Sequence, residues 1–381
     1  MIWLALKTMR HEKVRLAITL TGIIFSTVLT LMQVSMYLGM MGNATSIIRN
    51  TDADIWIASR NVQNFDFAYP FSEEKLNRVR AYHDVLRADR LIMTWGFLKL
   101  ADGGQDQVQI IGFNPDSGVG APWSMVYGRP EDVKGGRYMI MDKTSEKRLG
   151  ELRIGTLWEL GGRKFKLVGL SNGIKSFTTA PIIFTSYEQA QQFQGFIKAD
   201  QTSYIVAKVR DREKVRDREK VRDIVNDLKA NMKDNDIYTK DDFGFKTVMY
   251  WTIQTGIGLG YFLTASLGLI VGGAIVGQTV YVNTMEHLRE YGTLKALGAR
   301  NSEIYQVIFS QVGISALIGF TSGSGIILAL RSGVEKAGVS LYLSPALFLS
   351  IFVIVLGTCL LSAYFSVKKI RTLDPMTVFR A

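Results

Sequence analysis

A chain of 381 residues with 47% hydrophobic residues and a net charge of +11 could hold two or three soluble domains, so where its apolar residues lie decides its class. Runs free of Asp, Glu, Lys and Arg extend from Leu16 up to Arg49, Thr247 to Met285, Ile304 to Leu330 and Ala337 to Val367, each longer than the about 20 helical residues that cross a roughly 30 Å hydrocarbon core. The basic residues form no single stripe: Gly42 to Lys246 holds 32 Lys and Arg against 28 Asp and Glu, without zinc-finger spacing or an aromatic RNA-binding signature, and this excludes nucleic acid as the partner.

In chain order, residues 1–15 read as an interfacial helix, with Ile2, Trp3, Leu6 and Met9 on one face and Lys7, Arg10 and Lys13 on another. Residues 16–41 form the first span. It is too long for a signal-peptide core of about 7–15 residues and is an uncleaved anchor. Residues 42–246 change to alternating periodicity and predict an α+β domain, with strands at Ala53–Ser59, Leu91–Leu100, Gln107–Phe113 and Ser203–Val209. A helix is expected from an N-cap at Ser72 to Tyr82, and a hairpin over Thr156–Leu160 and Lys164–Gly169 around Gly161-Gly162. DREKVR at 211–216 recurs at 217–222; its interleaved charges predict a solvated helix lengthened by a short duplication.

The uncharged stretch 247–285 is 39 residues, about 58 Å if wholly helical at ~1.5 Å per residue, and predicts a second span continued as a stalk. A coupling loop at 286–302, a third span at 303–330, a short external loop at 331–344, a fourth span at 345–367 and a tail at 368–381 complete the chain. The fold class is thus a membrane protein: four transmembrane α-helices with a large α+β extracytoplasmic domain between the first and second. Eleven basic residues flank the spans on one side (Lys7, Arg10, Lys13, Arg15, Arg289, Lys295, Arg300, Lys368, Lys369, Arg371, Arg380) against Arg331 and Lys336 in the opposing short loop, placing both termini in the cytoplasm.

No catalytic, cofactor or metal constellation emerges. His11, His83 and His287 fall in separate segments, and no G-x-x-x-x-G-K-[ST] phosphate loop occurs, so the chain is expected to bind no ATP or metal itself. The spans lack the ionisable groups of proton- or sodium-coupled transporters, so the energy for transport comes from a partner. The lone Cys359 lies in the fourth span. Four-residue spacing at Gly256/Gly260, Gly268/Gly272, Gly273/Gly277 and Gly319/Gly323 marks close helix contacts, either within the chain or in a self-associating face. In the loop, Leu288, Tyr291, Leu294 and Leu297 make an apolar stripe, Gly298 offers a stop, and Asn301 or Ser302 can cap the next helix. Glu286 and Glu290 beside Arg289 and Lys295 suit a protein groove better than a lipid surface.

The loop HLREYGTLKALGARNSEIYQVI resembles the cytoplasmic signature of FtsX/MacB-type ABC permeases. LRIGTLWELGGRKFKLVGL resembles the hairpin of their extracytoplasmic domain, and the opening LALKTMRHEKVRLAITLTGIIFS and closing LDPMTVF are similar to the family's ends. The subtype it most resembles is DevC, a free-standing permease without a fused ATPase. That resemblance implies an inner-membrane homodimer with a DevA-like ATPase that holds ATP and Mg, a DevB-like membrane-fusion adaptor and a TolC-like outer-membrane protein. It implies mechanotransmission rather than passage of substrate through the spans, and assigns Glu290, Gly292, Lys295, Ala296, Gly298 and Ala299 to the ATPase-coupling loop. Export of an envelope component such as a glycolipid is the main functional expectation. An FtsX-like relay to a cell-wall hydrolase and LolC-like lipoprotein extraction are the alternatives.

Overall fold

The computed structural model describes residues 12–178, 180–193, 198, 200–210, 217–296 and 299–371. They fall into two units, Met1–Gly39 with Gly256–Ala381, and Met40–Thr255. Most of the expected interfacial helix, the first DREKVR copy, Leu297, Gly298 and the closing LDPMTVF lie outside the described residues. The first helix, α1 (Lys13–Ala44), is long and apolar enough to cross a membrane and leads into the second unit, whose first element is the short α2 (Ser46–Asn50).

That unit is built on strands β1 (Ile55–Ser59), β2 (Phe71–Ser72), β3 (Val85–Lys99), β4 (Gln105–Phe113), β5 (Met125–Tyr127), β6 (Tyr138–Asp142), β7 (Leu157–Leu160), β8 (Arg163–Ser171), β9 (Ile182–Ser186), β10 (Gln201–Thr202), β11 (Tyr204–Val209) and β12 (Asn235–Thr239). Among the described residues, ten of them form one mixed sheet in the order β12-β1-β11-β3-β4-β9-β6-β8-β5, with β7 joining β3 and β8, while β2 pairs with β10. Strand β1 is buried at all five positions, because both sheet faces are covered. Trp56 packs against Phe65, Tyr204 and Phe243 at ring-centroid distances of 5.9, 5.6 and 5.6 Å. On the opposite face Ile55 and Ile57 share a cluster with Leu76 and Val79 of α3 (Lys75–Arg80) and Ile224, Val225 and Leu228 of α4 (Asp217–Asn231).

Three expectations change here. Helix α3 starts after Glu74, and Ser72 pairs instead with Gln201 in extended backbone. Strand β3 begins at Val85, since Val85 and Ala88 reach the core between charged neighbours that conceal the alternation. The repeat helix is amphipathic: Lys220 of the second copy pairs with Asp84 at 2.7 Å, while Val225 and Leu228 are buried. The hairpin turn between β7 and β8 has Gly161 at φ +55° and Gly162 at +77°, the two positive values that a tight hairpin turn requires.

The chain leaves the sheet through α5 (Lys240–Met249), capped by Thr239, whose hydroxyl accepts the Asp242 N–H at 3.1 Å. The expected continuous stalk is interrupted. A π-helical turn occupies Tyr250–Gln254, and Gly256 then takes φ +73°, a left-handed conformation suited to glycine. The cause is packing: Phe243 joins the Trp56 cluster, Thr247 accepts the Phe65 N–H at 3.3 Å, and Trp251 stacks on Phe177 at 3.8 Å. Residues 247–255, though uncharged, fall in the large domain, whose compact unit ends at Thr255 rather than 246.

The bundle continues with α6 (Ile257–Glu286), the short α7 (Leu288–Ala296), α8 (Asn301–Lys336) and α9 (Pro345–Arg371). With α1, helices α6, α8 and α9 make four candidate spans among the described residues. Helix α8 runs past the expected limit at 330, with Arg331 and Glu335 paired at 2.8 Å on its last turns. Cβ atoms built on Gly268 and Gly272 would approach Leu29 and Ser26 of α1 to 2.8 and 2.5 Å, and one on Gly319 of α8 would approach Ile23 of α1 to 2.5 Å. Gly273 and Gly277 face Thr358 and Ser362 of α9, where Ser366 donates to the Gly277 carbonyl at 2.8 Å.

Gly256 and Gly260 are different: a Cβ on either meets nothing within 4 Å among the described residues, so that pair makes no close helix contact there. Gly272→Leu is expected to lower the stability of the detergent-solubilised chain by at least ~2 kcal/mol through overpacking, whereas Gly260→Leu leaves it nearly unchanged. Thermal unfolding of the two variants side by side checks this; equal melting temperatures would refute the close-packed seam.

Candidate coupling site at the foot of the bundle

Helix α6 ends at Glu286, His287 caps it, and α7 starts immediately at Leu288, with the Tyr291 N–H returning to the His287 carbonyl at 3.0 Å. The turn therefore presents a short helix at the foot of the bundle, the end remote from Gly39 and Gly256. Arg289, Glu290 and Thr293 are exposed on it, whereas Leu288, Tyr291 and Gly292 are half-buried. Tyr291 packs against the bundle core cluster that includes Ile304 and Ile308. Of the expected stripe, Tyr291 thus anchors α7 to its own bundle, and among the residues of α7 whose side chains are described the exposed ones, Arg289, Glu290 and Thr293, are polar.

Of the other residues expected in the coupling element, Leu294, Lys295 and Ala296 form the last turn of α7, and Ala299 lies in the connection to α8. Neither Asn301 nor Ser302 caps α8. Arg300 is the N-cap, and its backbone N–H donates to the Glu303 carboxylate at 2.8 Å.

A polar cluster joins this turn to the start of α1. Arg15 donates to Glu12 at 2.9 Å, to the Asn283 side-chain oxygen at 3.0 Å, and to Glu286. His287 places Nε2 against Glu12 and Nδ1 3.0 Å from Glu290. Burial disfavours the charged imidazolium, but the hydrogen bonds to Glu12 and Glu290 outweigh it and hold the ring above its ordinary value. Of these residues, Glu12, Asn283 and His287 were not expected from the sequence to act here, and Arg15 entered only as part of the charge count. The local signals were the three-residue spacings of Glu12 and Arg15 and of His287 and Glu290.

A family model described as the MacB-like periplasmic core domain matches residues 16–224, more than half of the chain, and a second, described as FtsX-like permease C-terminal, matches 262–375. The chain belongs to the MacB/FtsX-type ABC transporter permeases. An ABC transporter permease of Mycobacterium tuberculosis is 24% identical over 390 residues, covering all of this chain and 99% of that one. The macrolide export ATP-binding/permease protein MacB of Photorhabdus laumondii is 22% identical over 287 residues, covering 73% of this chain and 42% of that one. The periplasmic region of MacB from Actinobacillus actinomycetemcomitans superposes with a TM-score of 0.38 and 15% identity, covering 51% of this chain and 92% of that one.

In this MacB/FtsX-type permease the FtsX-like match takes in most of α6 and all of α7, α8 and α9. The permease is thus a multi-pass membrane protein whose α+β domain is inserted between its first and second spans.

Proposed function

We propose that this permease is the non-catalytic transmembrane subunit of an exporter, in which a separate ATPase docks on the 286–302 segment and drives the large domain mechanically. The observation that carries the reading is α7: a nine-residue helix held at a turn between two spans, with Arg289, Glu290 and Thr293 turned outward. A short, anchored helix with a polar outer face is the kind of handle a partner's groove can grip without disturbing the bundle.

In this reading α7 and both termini lie in the cytoplasm of an inner-membrane protein and the large domain outside, a topology supported by the basic residues that flank the spans in the sequence. ATP and Mg belong to the ATPase, DevA-like and present in two copies on a homodimer of this DevC-type chain. A DevB-like adaptor and a TolC-like outer-membrane protein extend the path outward. The names of relatives that export macrolide and pyoverdine support export as the outcome, here of an envelope component such as a glycolipid.

Purification from native membranes tests the reading. A copurifying ATPase and fusion adaptor are expected, with ATP hydrolysis that disappears when the ATPase is removed. Hydrolysis by a preparation free of any partner ATPase would overturn it.

A further inference from the structure

We propose that the Glu12, Arg15, Asn283, Glu286, His287 and Glu290 cluster is the mechanical joint between α7 and the foot of α1, and that it engages only while His287 is protonated. This rests on the coupling reading above and names the route by which motion reaches the first span.

The chain enters the large domain from α1 and leaves it into α6. Displacement of α7 passes to α6 through the backbone at His287. No covalent path of comparable length leads from α7 to α1: Glu12 and His287 are 275 residues apart. The small-residue seam along Gly268 and Gly272 brings α1 and α6 into close contact, but hydroxyls near the foot bond back to their own helices, Thr19 to the Arg15 carbonyl at 3.0 Å and Thr279 to the Ile275 carbonyl at 2.8 Å. Directional bonds between α1 and the α6–α7 turn are instead supplied by Glu12 and Arg15.

The histidine's geometry sets its charge state. A neutral imidazole has one donor and one acceptor nitrogen, so a ring with a carboxylate at each nitrogen satisfies both only as imidazolium. Among the described residues, the charged groups paired with it or with its carboxylate partners include Glu12 and Arg15 from the start of α1, Glu286 at the end of α6, and Glu290 on α7, with Tyr291 as the neighbouring ring. Two cations and three carboxylates are then linked. Deprotonating His287 leaves Glu12 and Glu290 against a ring that can donate to only one of them. The cluster borders a cavity of about 50 Å³ whose lining is mostly apolar, with Thr19, Thr284, Gln311 and Ser315 among its polar groups; Glu286 and Glu290 are exposed, so part of the cluster stays solvated and the joint can move.

The sign of the pH dependence follows. Because the folded-state value of His287 is raised, the joint is fully engaged below the ordinary histidine value near 6.5 and is lost as pH rises through the raised one.

The test uses the full chain with its copurified ATPase in liposomes, in a Cys359→Ala background with Tyr69→Cys as a probe, Tyr69 being 61% exposed in the large domain. The readout is the change in maleimide-labelling rate on adding ATP. The unsubstituted joint should give a response that fades as pH on the ATP side rises. Glu12→Gln, outside the docking segment, should cut that response at least ~5-fold with ATPase association intact, and His287→Gln should cut it at least as far. His287→Lys, charged throughout, should restore the response and remove its pH dependence.

A response retained in His287→Gln, or not restored in His287→Lys, would overturn the joint while leaving the coupling reading standing. No ATP response with the joint unsubstituted would overturn both.

Discussion

Thr293→Pro is expected to eliminate ATPase association and ATP-driven export while the chain remains at normal abundance in the membrane. Thr293 lies inside α7, exposed, with its hydroxyl donating to the Glu290 carbonyl at 2.7 Å. Proline there removes a backbone donor and collides with the preceding turn, at ~3 kcal/mol or more. A nine-residue helix has little with which to offset this, since isolated helices shorter than about 12–15 residues are marginal in water. Among the described residues the turn is tied back to α6 by backbone hydrogen bonds only near its start, where the Tyr291 N–H meets the His287 carbonyl and the His287 N–H the Asn283 carbonyl, so insertion and domain folding should persist. Glu290→Lys should act differently: the helix remains, but the outer charge is reversed and His287 gains a repulsive neighbour. We expect at least a tenfold loss of ATPase recovery in pull-downs. Full association and export by the proline variant would remove α7 from the coupling path.

Asp66→Asn is expected to stabilise the large domain at neutral pH. Asp66 is 7% exposed. Gln109 donates to one of its carboxyl oxygens at 3.0 Å, while the other, facing the Trp251 indole, has no hydrogen-bond partner of proper geometry among the described residues. Burial pushes the carboxyl up to about 6, with Gln109 and Trp251 offsetting part of that rise. Below about 3.9 both folded and unfolded chains are protonated and the group is neutral in the balance. Between 3.9 and 6 the unfolded chain ionises first, so stability falls as pH rises; above 6 the loss is complete, at ~3 kcal/mol. Asparagine keeps the shape without the charge. Thermal unfolding of the full chain, followed by tryptophan fluorescence, should show the variant melting higher at pH 7 and level with the unsubstituted chain near pH 4. A variant that melts lower at pH 7 would mean the ionised carboxylate is stabilised by partners that the burial argument omits.

Four spans were legible because charge is scarce wherever lipid must be crossed, and the β7–β8 hairpin because Gly161-Gly162 tolerates the backbone a tight turn needs. The same rule misread 247–255: a run without charge reads alike whether it faces lipid or a domain core, and partners such as Phe65 and Phe177 distinguish them. The beginning of β3 was hidden by Arg87, Asp89 and Arg90, which alternate with Val85, Ala88 and Leu91 imperfectly. At the coupling turn, helix and charge could be read, but not the inward turn of Tyr291, because periodicity cannot say which body a stripe packs on. Glu12 and His287 lie too far apart in sequence for any local pattern to pair them.

Hydrogen exchange of the large domain is the most direct measure of whether work done at α7 reaches the other side of the membrane. The complex with its ATPase would be compared in nucleotide-free and ATP–vanadate-trapped states, following peptides that cover Lys240–Met249 and the π-turn Tyr250–Gln254. Mechanical coupling predicts at least a severalfold change in exchange across those peptides on trapping, absent in Thr293→Pro. Identical exchange in both states, with the ATPase bound and hydrolysing, would contradict it.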